Sequence, residues 1–142
     1  MPLRLSLDNF PLAKIGPPCI KAHAENPGYP GRLDKDHTPK LNGGLALKFG
    51  FQGNYADDRE TAAWFEAACS DRKVPLQYFM YPTGSRGGSS IGPIATTIAG
   101  IRGIDVGTTL IGMHSIRELC GASDVPRTIA AVSAFLEADR WA

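Results

Sequence analysis

The shortages in this chain of 142 residues exclude more than its surpluses suggest. Cysteine is scarce: Cys19, Cys69 and Cys120 are odd in number, widely spaced, and form no C-x-x-C pair. A disulfide framework and a cysteine zinc knuckle are thereby excluded, and a reducing cytoplasmic location is expected. Charge of one sign is lacking too, since 15 basic and 14 acidic side chains leave a formal net charge of +1. No segment gathers arginine and lysine, so phosphate neutralisation has nothing to start from and no nucleic-acid partner is expected. No apolar run nears membrane-spanning length, and Arg4, Asp8 and Lys14 interrupt anything like a signal peptide. Histidine occurs only at His23, His37 and His114, and their spacing marks no metal motif.

What is present is the balance of one globular domain, 43% hydrophobic and 20% charged. Leu3, Leu5 and Leu7 alternate with Arg4, Ser6 and Asp8, which predicts a short half-buried strand. Prolines and glycines then crowd the chain as far as Gly44 and exclude helix over most of it. Residues 45–51 read as a strand, with Leu45, Leu47, Phe49 and Phe51 on one side and Lys48 on the other. Asp57 is expected to cap a helix, with Glu60 as the return half of a capping box. Ala62, Phe65, Ala68 and Cys69 make its apolar stripe, which Trp64 widens. Residues 76–81 form a second strand, 82–88 a loop, and 90–99 a short helix with Pro93 in its first turn. A third strand begins at Ile104 and continues toward Ile111. Ser123 or Asp124 caps a last helix, whose Ile129, Val132 and Leu136 are expected to face the core with Phe135 beside them. This alternation predicts an α/β fold with a sheet at least partly parallel.

Two stretches invite chemistry. The apolar run 104–111 leads to His114, followed at once by Arg117 and Glu118. A single histidine after a strand is more often structural than a ligand. Asp105 and Glu118 are candidates to orient it, although Arg117 and Glu118 can equally form an exposed pair of little weight. The second stretch, Gly87-Gly88-Ser89-Ser90-Ile91-Gly92-Pro93, suits anion binding at a helix start, but it lacks the phosphate-loop lysine. A tight turn needing positive φ is the simpler explanation. Lys48 could hold an acidic substrate group, or simply be the solvent-facing alternate of its strand.

Taken in order, several segments resemble a known family. They are His37-x-Pro39-Lys40-Leu41-Asn42, Tyr55-Ala56-x-Asp58, Gly88-Ser89-Ser90-Ile91-Gly92-Pro93, Asp105-Val106-Gly107 and Met113-His114-Ser115-x-Arg117-Glu118. Their order and spacing are similar to the carboxyl-terminal part of the catalytic domain in aspartyl aminopeptidase and vacuolar aminopeptidase I, which are zinc metalloaminopeptidases. The resemblance covers 22–142 and leaves 1–21 as a leader unlike the family. It implies part of a three-layer α/β/α sandwich of the zinc-peptidase (phosphorylase/hydrolase-like) type with a mixed sheet. It also implies a two-zinc site in which His114 is a ligand. Lys48, Tyr55, His23, Gly88, Ser89 and Ser90 then fall at positions that meet the peptide substrate. The implied chemistry is hydrolysis of an N-terminal, possibly acidic, residue by a metal-activated water, with a glutamate as general base.

The departures are as informative. Where the family has a metal-binding aspartate in an Asp-x-Ala-His-Ala segment, this chain has Ile20-Lys21-Ala22-His23-Ala24. Asn26 stands at an expected histidine, and Gly84 at an expected aspartate. The remaining ligands and the general base belong to family segments that would precede Met1, so no catalytic residue is expected within this chain. One zinc ligand of about five is retained, which predicts an incomplete and inactive fragment. Family members are homo-oligomers; assembly is not expected to carry over. The alternative is a catalytically dead module that docks on an intact aminopeptidase.

Overall fold

The computed structural model describes residues 21–50, 52–85, 87–88, 91–100 and 102–138. The strand expected over 3–8, and Phe51, Ser89 and Ser90, lie outside the described residues. Five strands, β1 (Lys21–His23), β2 (Leu45–Lys48), β3 (Leu76–Phe79), β4 (Val106–Ile111) and β5 (Leu119–Cys120), form one sheet. Three helices accompany it: α1 (Arg59–Asp71), α2 (Ile91–Ala99) and α3 (Asp124–Leu136). The order is β1-β4-β2-β3, with β5 also paired to β4. The pairs β1–β4 and β2–β3 are parallel, whereas β2 and β4 are antiparallel. The fold is therefore a mixed α/β sheet with three helices. Its two parallel pairs run in opposite directions, so β1 and β4 end at one edge while β2 and β3 end at the other.

Helix α1 forms where its apolar stripe was expected, burying Thr61, Ala62, Phe65, Ala68 and Cys69. Its cap is Asp58, not Asp57: the Asp58 carboxylate accepts the Thr61 amide and hydroxyl, each at 2.8 Å. Glu60 makes no capping box, because it pairs with Arg102, which also forks onto Asp58 and lies over the Trp64 ring. Leu45, Leu47, Phe65, Ile104, Val106 and Phe135 form the main core, with the Phe65 and Phe135 rings 5.2 Å apart. Burying side chains of this size contributes about 2 kcal/mol each.

The face expected for α3 is corrected. Ile129 is 63% exposed and Leu136 42%, while Ala131, Ala134 and Phe135 are the buried positions. Helix packing selected small residues that let α3 approach α1 and the sheet, and left the larger aliphatics outside. Lys48 is corrected too: all four residues of β2 are buried, so Lys48 is not a solvent-facing alternate. A strand with neighbours on both sides and side chains packed on both faces has no exposed register.

The opposite sheet face carries a second cluster of Ala22, Ala46, Tyr55 and Phe79, with Leu33 and Tyr81 packed against it. Alternation along β2 accounts for the division, since Ala46 points away from Leu45 and Leu47. No described helix is long and apolar enough to cross a membrane.

Candidate functional site

The second cluster is where the chemistry-bearing residues gather. Lys48 closes β2 and is the register partner of Phe79 in β3. Its Nζ lies 5.2 Å from the centroid of the Tyr55 ring, which meets Phe79 edge-on at 6.1 Å. Phe79 in turn packs edge-on against Tyr81 at 5.0 Å and lies 6.4 Å from the His23 ring. Burial, then the Lys48 charge, then His114, hold the His23 imidazole below the usual histidine value. Lys48 and His114 are thus both within electrostatic reach of His23. Burial raises the Tyr81 phenol, opposed by a hydrogen bond with Tyr55 and by the Arg32 charge.

Two cavities meet at Tyr81. One, of about 290 Å³, is lined by Tyr55, Tyr81, Asn54, Ser85 and Gly87 among others. The larger, about 1120 Å³, opens from His23 along Asn26, Tyr29, Arg32 and Lys40. Together they make a groove with a half-buried aromatic wall, cations at its rim and the His23 imidazole at its end.

The glycine stretch behaves differently from the turn expected of it. Gly87 and Gly92 do not have positive φ. Their lack of a side chain serves close approach instead. A Cβ on Gly87 would lie 2.5 Å from the Tyr81 ring, and one on Gly92 would collide with the Asp105 carboxylate. Gly88 is exposed with open space around it, and Ser89 and Ser90 lie outside the described residues.

His114 is exposed, at φ 67° in the loop after β4. Asp105 is not its partner. It precedes β4 while His114 follows it, a separation on the order of 20 Å along the strand. Asp105 is buried and accepts the Ala56 amide at 3.0 Å. Glu118 does meet His114, but through the main chain, accepting its amide at 2.7 Å. Glu118 pairs with Lys21 rather than Arg117. Lys21, then the His114 amide, hold the Glu118 carboxyl below its usual range. His37 is remote in role, since its Nδ1 lies 2.7 Å from Asp34 within the 34–37 turn.

A zinc centre needs three or more protein donors. Among the described residues no three His, Cys, Asp or Glu side chains gather. The described residues do not fit a complete zinc site. They offer one exposed imidazole, His114, with His23 in its neighbourhood.

Residues 20–136 match the family model described as aminopeptidase I zinc metalloprotease (M18). The chain belongs to that family. A probable M18 family aminopeptidase 2 from Clostridium novyi (strain NT) is 46% identical over 103 residues, covering 72% of this chain and 24% of the relative. The cryo-EM structure of an Ape4 and Nbr1 complex matches with a TM-score of 0.79 at 32% identity, over 82% of this chain and 22% of that one. An mApe1 dodecamer from S. cerevisiae matches with a TM-score of 0.71 at 31% identity, over 84% and 25%. This M18 chain therefore spans about a quarter of the length of the relatives it matches. Members of the family are zinc metalloproteases. Sequence reasoning missed Tyr81 and Phe79, whose aromatic repetition in 76–81 was the available signal. It also missed Lys21, whose role depends on a strand only three residues long.

Proposed function

We propose that this chain is the carboxyl-terminal portion of an M18 catalytic domain, part of a three-layer α/β/α sandwich, and supplies the substrate-facing wall of an aminopeptidase. The observation that carries this reading is the convergence of His23, Lys48 and Tyr55 around Phe79, beside a groove. The resemblance implies substrate contact for all three, and the sequence itself offers Lys48 as a holder of an acidic group. A buried ammonium against an aromatic face suits a carboxylate of a peptide, and Arg32 and Lys40 at the groove rim suit an acidic residue. His114 is the one metal donor in this reading; the other donors and the general base come from other family segments. The 142 residues alone are then inactive, and their working place is the cytosol.

The test is titration of an isotope-labelled chain with an acidic tripeptide bearing a free amino terminus. Shifts confined to His23, Tyr55, Phe79 and Tyr81, lost in Lys48→Met, are expected. Shifts scattered over the surface would sink the reading.

A second reading, a catalytically silent module that docks on an intact aminopeptidase, draws on Ile91, Ile94 and Ile98. These lie in one row along α2 and are 63%, 57% and 82% exposed. Co-purification with a full-length M18 enzyme, lost in Ile94→Asp, is its expected result; a monodisperse monomer that ignores the enzyme would dismiss it.

A further inference from the structure

We propose that Glu118, backed by Lys21, is a positioning residue that sets the conformation of the His114 loop. The proposal rests on the reading above only in taking His114 as the imidazole that matters.

The loop leaves β4 at Gly112, φ 72°, and reaches His114 at φ 67°. Glycine adopts that region freely, whereas a histidine visits it less readily, so contacts that hold it there contribute to the loop's conformation. Local bonds close part of the turn: Ser115 donates its amide to Gly112 at 2.9 Å, and Arg117 donates to the Ser115 hydroxyl at 3.1 Å. Neither bond engages His114. The contact that does is the Glu118 carboxylate, which turns back four residues to accept the His114 amide at 2.7 Å. Its two oxygens also lie 2.7 and 2.6 Å from Lys21 Nζ. An exposed ion pair alone has little weight. A carboxylate fixed by an ammonium and aimed at a main-chain N–H is a stronger arrangement, because both bonds are charge-assisted.

Placement gives the contact its purpose. Lys21 begins β1, which runs parallel to β4 with Lys21 opposite Thr108 and His23 opposite Leu110. The clamp thus ties the loop bearing His114 to the strand bearing His23, two residues from Lys21. His114 is also among the groups, after burial and Lys48, that hold the His23 imidazole below its usual value.

The experiment measures main-chain amide exchange with solvent by nuclear magnetic resonance, on the full chain and three variants. Glu118→Ala is expected to speed exchange at His114 by about tenfold or more, the worth of a hydrogen bond to a charged acceptor. Glu118→Gln keeps an acceptor oxygen and is expected to restore protection to within a few-fold of wild type. Lys21→Met is expected to fall between them. The amides of Thr108 and Leu110 in β4 report whether each variant stays folded. Loss in Glu118→Ala with rescue in Glu118→Gln supports the clamp. Unchanged exchange in Glu118→Ala, or equal loss in both Glu118 variants, overturns it. No metal or peptide enters the measurement, so its failure is separate from failure of the functional reading.

Discussion

The Asp124 carboxylate lies 2.9 Å from the main-chain amide of Gly44, a residue 80 positions away in the sequence. Its other oxygen accepts the Asn42 amide at 2.7 Å and the Thr109 hydroxyl at 3.1 Å. Asp124 is fully buried, so one carboxylate at the start of α3 fixes the turn that launches β2 and fastens both to β4. Asn42 and Gly44 both have positive φ, at 62° and 101°, and this anchoring holds them there.

Asp124→Ala should leave the buried Gly44 amide and the part-buried Asn42 amide without their carboxylate acceptor and destabilise the chain by about 3 kcal/mol. Asp124→Asn retains one acceptor oxygen and should cost less, about 2 kcal/mol. Urea unfolding of the two variants checks this; equal stability to wild type would show the turn to be self-supporting.

The two sides of α3 should respond oppositely to truncation. Phe135→Ala removes a ring buried against Phe65 and should cost about 3–5 kcal/mol. Ile129→Ala, on the exposed side, should change stability by no more than about 0.5 kcal/mol. The reverse ranking would restore the face that periodicity first suggested.

Acid should loosen the start of α1. Burial pushes the Asp58 carboxyl up, but hydrogen bonds from Arg102 and Thr61 outweigh it and hold the folded value below the usual range. The unfolded chain therefore takes up this proton first as pH falls. The stabilisation is complete above roughly pH 4 and is lost as pH drops through the lowered folded value. Thermal melts from pH 7 to pH 2 should show a smaller low-pH loss in Asp58→Asn than in wild type. At pH 7, Asp58→Ala should cost about 1 kcal/mol as a lost helix cap.

Gly107 allows β1 and β4 to pair closely. A Cβ there would sit 2.5 Å from the Lys21 carbonyl carbon. Gly107→Ala should cost about 1–3 kcal/mol and selectively expose the amides of His23 and Ala24 to exchange. Uniform loss of protection across the sheet would instead point to global destabilisation.

Much of this architecture was legible where periodicity is local. The stripe of α1, the first-turn Pro93 of α2 and the apolar run of β4 each follow from the sequence. What was not legible depends on partners distant in the chain. Lys48 reads as the polar alternate of a strand, and only sheet order reveals that both faces of β2 are covered. Ile129 outranks Ala131 in hydrophobicity, yet contact with α1 favours the smaller residue. The cap fell to Asp58 rather than Asp57 because Arg102, over 40 positions away, claims Glu60 and braces Asp58. Of the candidate site, His23, Lys48, Tyr55 and His114 follow from the segments they occupy, as the resemblance implies. Tyr81, which lines both cavities, and the buried Phe79 ring it meets edge-on needed the folded sheet to emerge.

The central claim is that these residues hold the substrate-facing wall and one metal donor of an aminopeptidase, and do not catalyse by themselves. The direct measurement is turnover of aspartyl and leucyl anilides by the purified 142-residue chain, with and without added zinc. The account predicts no zinc-dependent release above background. Robust turnover that disappears in His114→Ala would contradict it.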